Sequence, residues 1–168
     1  MVPQGKRTAA DRPTTYNILF VCTGNTCRSP LAEVITRHAL ERRGWNHVRV
    51  DSAGTAAMWD APASEGSLRA AEDIGLDLSG HRSQPLMREL IKSADVILGM
   101  TASHVETVDA MGGRDKVSLI TAFMDGPGSG EGVRDPLGGS PEEYAEARER
   151  IDEAVEALLD RLSAILSP

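Results

Sequence analysis

The hydrophobic pattern divides the chain into short buried strands separated by helical stretches. Ile18-Leu19-Phe20-Val21 is apolar without alternation, the mark of a strand covered on both faces in a parallel sheet, and Val96-Ile97-Leu98 repeats it. Val48 and Val50 flank Arg49 in a second strand, and Val117 to Ile120 is a shorter fourth. Between them, Leu31, Val34, Ile35 and Ala39 share one face of a helix that ends at Gly44. A helix over 67–74 ends at Gly75, Leu86, Leu90 and Ile91 suggest a short one before Asp95, and Thr101 caps another carrying Val105, Val108 and Met111. Ser140-Pro141-Glu142-Glu143 reads as a capping box with Pro at the first helical position. Behind it, Tyr144, Ala147, Ile151, Ala154, Val155, Leu158, Leu159, Leu162 and Ile165 give a long amphipathic helix.

Strand, helix, strand at the start pairs two parallel strands through a right-handed crossover. The pattern therefore predicts an α/β fold: a single domain with a four-stranded parallel sheet, flanked by helices on both faces. Residues 1–16 lack periodicity and hold Pro3, Gly5, Lys6, Arg7, Asp11, Arg12 and Pro13, so they read as a mobile leader, with the domain over 17–168. Two loops stand out. The segment after the second strand, with Met58, Trp59 and Pro62, lies at the sheet edge where the first strand ends and is a candidate pocket wall. The stretch from Asp125 to Gly139, rich in Gly and Pro and carrying Asp135-Pro136, is long enough that a functional role is expected.

Composition narrows the classes. The 168 residues are 40% apolar, enough for one core, but only 4% aromatic, so burial rests on Leu, Ile, Val and Ala. A net charge of −7 argues against nucleic acid or an acidic membrane as the main partner. No apolar run approaches the ~20 residues that span a bilayer, and the N-terminus has no signal-peptide core, so a cytoplasmic location is expected. The two cysteines, Cys22 and Cys27, fall in one loop and form no secreted disulfide framework. With His38, His47, His81 and His104 scattered elsewhere, they have no metal-ligand spacing, and neither metal nor other cofactor is expected.

The chemistry converges on Cys22-Thr23-Gly24-Asn25-Thr26-Cys27-Arg28-Ser29-Pro30, where the first strand empties into a helix. Gly24 and Asn25 tolerate left-handed angles, so the loop can curl until its N–H groups point inward, and such a nest against a helix N-terminus binds phosphate. Ser29-Pro30 reads as N-cap and first helical residue. Cys22 lies where the amides and the helix end converge, which favours a thiolate nucleophile over a small buried thiol. Arg28 returns to the same rim, where its planar fork can hold two phosphate oxygens. The spacing of Cys and Arg is weak alone; the strand before, the Gly-Asn inside and the Ser-Pro after make it specific.

These residues resemble the low-molecular-weight protein tyrosine phosphatases. The likeness spans about 17–166 and rests on Val21 to Glu33, on Ser52-Ala53-Gly54-Thr55, on His81-Arg82-Ser83, and on Asp135-Pro136 followed by Gly138-Gly139-Ser140. It implies that Cys22 attacks phosphorus, that Arg28 and the amides of Thr23, Gly24, Asn25, Thr26, Cys27 and Ser29 hold the phosphoryl oxygens, and that Asp135 serves as acid and then base. Asp135 also stands out by its Gly-rich approach, its Pro and the capped helix behind it. The resemblance further implies that Asn25 is tied to Ser52 and His81 as loop support. Ser29 can donate to the thiolate, cap the helix, or both. Cys27 can pair reversibly with Cys22 under oxidation or simply pack.

The expected partners are phosphorylated proteins, with inorganic phosphate as product. Substrate choice turns on Thr26, Trp59 and Leu137. Thr26 stands where tyrosine-directed relatives commonly carry a bulky aliphatic residue, and Leu137 where they carry an aromatic; Thr26 resembles a bacterial branch acting on phosphoarginine, and Trp59 could supply a ring from another side. Two other readings remain at this stage: arsenate reduction on the same scaffold, which needs downstream cysteines that this sequence lacks, and a non-hydrolytic phosphate-binding or phosphocysteine carrier, which would dispense with Asp135.

Overall fold

The computed structural model describes residues 15–126 and 128–167. Most of the segment read as a leader lies outside them, and Tyr16, placed at its end, already opens the first strand. The strands are β1 (Tyr16–Cys22), β2 (Val48–Gly54), β3 (Val96–Gly99) and β4 (Val117–Leu119), all parallel, in the order β2-β1-β3-β4. The helices are α1 (Arg28–Arg43), α2 (Glu65–Glu72), α3 (Arg88–Ser93), α4 (Ala102–Val108) and α5 (Pro141–Leu166).

β1 explains its own lack of alternation. Ile18, Phe20 and Cys22 enter the core shared with α1, α2 and α5, whereas Leu19 and Val21 enter a second core with Ile91 of α3 and Val108 of α4. Each fully buried large side chain contributes about 1.5–3 kcal/mol, and Phe20, Ile151, Leu158 and Leu159 are all at 0% exposure. Helices on both faces follow from a strand that is apolar on both.

The order of strands fixes where a ligand can sit. The chain passes from β1 to β2 on one side and then crosses to β3 on the other, so the loops leaving β1 and β3 diverge and open a crevice at their carboxyl ends. The loop from Cys22 to Arg28 occupies that switch point.

Several boundaries differ from the sequence reading. Ile120 leaves β4 and starts a 3-10 turn over Ile120–Phe123, and Met111 falls in a π-helical turn, Asp109–Gly113, that extends α4. α2 begins at Glu65, two residues ahead of the expected start, because the Ser64 hydroxyl accepts the Ser67 N–H as its N-cap. Only the forward half of the expected capping box at α5 is found among the described residues, the Ser140 hydroxyl accepting the Glu143 N–H at 3.2 Å. α1 starts at Arg28, with Cys27 rather than Ser29 in the N-cap position, and Pro30 sits in the first turn, where a missing N–H is harmless. Its end is as expected: Gly44, at φ 68°, takes the left-handed C-terminal position.

Candidate active site

The loop after β1 is shaped from outside by its own carbonyls. Thr55 and Ala56, just past β2, donate their N–H groups to the carbonyls of Cys22 and Thr23, each at 2.9 Å. His81 Nε2 donates to the Asn25 carbonyl at 2.7 Å, the Ser64 N–H to that of Thr26 at 2.8 Å, and the Ser67 hydroxyl to that of Cys27 at 3.1 Å. In a trans peptide the N–H opposes the carbonyl, so pinning the carbonyls outward turns the following amides toward the centre. Among the described residues, the amides of Thr23, Gly24, Thr26 and Cys27 have no protein acceptor.

Asn25 keeps the curl. It adopts φ 56°, a left-handed angle that Asn tolerates, and its side chain is fully buried. Its Oδ1 accepts the Gln84 N–H at 2.9 Å, which fixes the amide so that Nδ2 donates to Ser29 Oγ at 2.8 Å and Ser52 Oγ at 2.9 Å. The Ser52 hydroxyl in turn donates to Glu33 at 2.8 Å. Because Nδ2 can only donate, the Ser29 oxygen accepts from it and its own proton is left for Cys22 Sγ, 2.9 Å away. The Asn25 N–H also reaches the sulfur, at 3.3 Å. Ser29 thus spends its hydroxyl on Cys22, not on capping the helix.

Arg28 is buried at 3% exposure, and the loop before α5 meets it there. Its Nη1 donates to the Val133 carbonyl at 3.0 Å, its Nη2 lies 3.6 Å from Asp135 Oδ2, and its Nε is buried without a protein partner among the described residues. A buried guanidinium N–H left open is costly unless a ligand meets it. Val133 is held by its N–H to the Met100 carbonyl at the end of β3, and the neighbouring Gly132 N–H reaches the Thr121 hydroxyl, so the rest of the loop is stitched to the sheet. Asp135 is half exposed, and its Oδ1 accepts the Leu137 N–H at 3.0 Å.

The candidate specificity residues lie on separate loops. Thr26 is partly exposed on the phosphate loop itself. Trp59, 61% exposed, is carried by the loop after β2, which Ser83 organises by donating its hydroxyl to the Met58 carbonyl and accepting the Ala61 N–H. Leu137, 66% exposed, borders a groove of about 390 Å³ together with Ser64, Gly66 and Tyr144. Cys27 faces Ser64 Oγ at 3.2 Å and the Tyr144 hydroxyl at 3.7 Å, and both cysteines are free.

Two residues to which the sequence assigned no role at the site belong to it. Gly54 packs under the loop so closely that a Cβ there would overlap the Thr23 carbonyl and lie 2.9 Å from the Asn25 nitrogen. His104, on the first turn of α4, is buried with its Nε2 2.8 Å from Thr23 Oγ1. Burial and the nearby Arg28 charge push its pKa down to about 4, with the Asp135 carboxylate opposing them, so the ring is neutral at pH 7. The Ser52-Ala53-Gly54 motif hinted at the first; nothing in the sequence linked position 104 to position 23.

Comparison with known proteins agrees with this geometry. A sequence profile of the low molecular weight phosphotyrosine protein phosphatases matches residues 17–166. A protein-arginine-phosphatase of Bacillus subtilis is 39% identical over 148 residues, covering 87% of this chain and 96% of that protein. A low molecular weight protein-tyrosine-phosphatase of Streptomyces coelicolor is 31% identical over 155 residues, covering 86% and 92%. Among solved structures, a mutant of the YwlE arginine phosphatase with a phosphorylated active-site serine superposes with a TM-score of 0.82 at 38% identity, covering 89% of this chain and 97% of that one. A strand that ends in a cysteine, a loop with five of its carbonyls drawn outward and a profile that matches nearly the whole described chain lead to one conclusion: the chain belongs to the low molecular weight phosphotyrosine protein phosphatase family.

Proposed function

We propose that this enzyme removes phosphoryl groups from protein side chains through a phosphocysteine intermediate at Cys22, and that phosphoarginine is preferred to phosphotyrosine. The observation that carries the reading is the buried Arg28 Nε without a protein partner, beside a sulfur that already receives hydrogen bonds from Asn25 N–H and Ser29 O–H.

In the first step the Cys22 thiolate forms an S–P bond while the bond from phosphorus to the leaving nitrogen or oxygen breaks. The loop amides and the Nε and Nη2 edge of Arg28 hold the equatorial oxygens, where charge builds. The Asp135 carboxyl gives its proton to the leaving group and becomes a carboxylate. In the second step that carboxylate takes a proton from water, the oxygen attacks phosphorus, and the S–P bond breaks to return the thiolate and inorganic phosphate. The Ser29 hydroxyl, aligned by Asn25, stabilises the departing sulfur. The phosphorylated serine in the YwlE mutant supports an intermediate on the residue that stands in for Cys22.

The preference for phosphoarginine rests on Thr26 and Leu137. A hydroxyl beside the leaving group suits guanidinium N–H groups better than a phenyl ring, and an aliphatic residue at 137 offers no stacking surface. The protein-arginine-phosphatase relatives support the same choice.

The test is side-by-side kinetics on phosphoarginine and phosphotyrosine peptides. The wild type is expected to hydrolyse both with a higher kcat/KM on phosphoarginine, Cys22→Ser neither, and Thr26→Ile to reverse the preference. Hydrolysis by Cys22→Ser would remove that residue from the mechanism, and an equal loss on both substrates in Thr26→Ile would move the selection elsewhere.

A further inference from the structure

His104 lies outside the phosphate loop and touches it at one point. Its Nδ1 accepts the Thr101 N–H at 3.1 Å, and an acceptor nitrogen carries no proton, so in the neutral ring the proton is on Nε2. Nε2–H therefore donates to Thr23 Oγ1, which uses one lone pair of that oxygen. The placement is built into the fold: Gly99 ends β3, and a Cβ there would come within 3.0 Å of Val105 and 3.2 Å of His104 Cβ, tight enough to press on the start of α4.

Thr23 keeps its hydroxyl proton and a second lone pair. Its side chain is exposed at the mouth of the loop and has no other hydrogen-bond partner among the described residues. Thr23 directly follows Cys22, so its exposed hydroxyl stands at the rim of the cradle next to the residue that carries the sulfur.

We propose that His104 is a positioning residue that holds the Thr23 hydroxyl toward the substrate, and that the His104–Thr23 pair selects a phosphorylated guanidinium over a phosphorylated phenol. A phosphoguanidinium presents a phosphoryl oxygen that accepts and an N–H that donates on adjacent atoms. One fixed hydroxyl, with a proton and a lone pair to spare, answers both. A phenyl phosphate offers only the acceptor, and its ring meets a polar edge. Without His104 the hydroxyl would rotate freely and could bond to its own backbone or to water.

The inference rests on the phosphoarginine reading, and its test separates the two. kcat/KM is measured on phosphoarginine and phosphotyrosine peptides for the wild type, Thr23→Val, His104→Phe, the double variant and His104→Gln, which keeps an N–H donor of similar reach. Thr23→Val and His104→Phe should each lower the phosphoarginine-to-phosphotyrosine ratio about tenfold, the scale of one hydrogen bond to a charged group. The double variant should lose no more than either alone, because His104 acts only through Thr23, and His104→Gln should recover most of the ratio. Losses that add, or that fall equally on both substrates, overturn the inference while leaving the phosphatase reading intact. A wild type that does not turn over phosphoarginine overturns both. Should His104→Phe not fold, the Gln variant completes the cycle: any change it makes in the ratio must vanish when residue 23 is Val, and a change that persists overturns the pairing.

Discussion

At the scale of single residues, the proposed chemistry depends on how protons are assigned along Asn25, Ser29 and Cys22. The assignment is forced, because an amide nitrogen can only donate and the Asn25 side-chain oxygen, Oδ1, is already committed to the Gln84 N–H. Asp135 is less constrained: half exposed, with one oxygen on its own loop and the other 3.6 Å from Arg28, it can approach and leave the reacting atoms. If it is the acid and base, Asp135→Asn keeps the shape and the contact with Arg28 but carries no transferable proton. Turnover should fall by ~10² to 10⁴ while affinity for phosphate is largely kept. An unchanged turnover would assign proton transfer to another group. The sequence made Cys22, Arg28 and Asp135 legible as candidates because each stands in a distinctive local context. It left Ser29 open between sulfur and helix cap because Ser-Pro before a helix is also a capping signature, and the fold decides for the sulfur seven positions back.

At the scale of elements, the site is a set of loops each anchored to a neighbour's end. The turn after β2 holds the carbonyls of Cys22 and Thr23, the start of α2 holds those of Thr26 and Cys27, and Val133 ties the acid loop to β3. Gly54 is where the first of these contacts is tightest, since the phosphate loop crosses directly over its Cα. Gly54→Ala must push that loop away. Overpacking of this kind costs about 1–3 kcal/mol, and a displacement near 1 Å is enough for a ~10²-fold loss in kcat/KM. Urea unfolding and kinetics on the same preparation should show both; full activity would mean that the loop is held by its other anchors alone. Elements themselves were readable because β1 and β3 are apolar on both faces and α5 repeats at helical spacing. Contacts between elements were not, since the spacing that brings His104 to Thr23 spans 81 positions and leaves no local pattern.

At the scale of the whole molecule, the same topology that opens the crevice buries a titratable ring beside it. The order β2-β1-β3-β4 sends β1 and β3 side by side, so the loop after one and the helix after the other share a wall, and His104 is enclosed in it. Burial and the Arg28 charge, partly opposed by Asp135, take its pKa from 6.5 to about 4. The unfolded chain then binds a proton near pH 6.5 that the folded protein refuses until about pH 4. Stability contributed by neutral His104 is complete above pH 6.5 and is lost progressively as the pH falls toward 4, below which this residue adds no further slope. Protonation also places a hydrogen on Nδ1 where the Thr101 N–H now points, so the contact that orients the ring is lost although Nε2 still carries its proton. Urea midpoints measured from pH 7 to pH 4 should therefore decline more steeply for the wild type than for His104→Gln, which cannot titrate. Parallel declines in the two proteins would show that carboxylates, not this ring, set the acid limit.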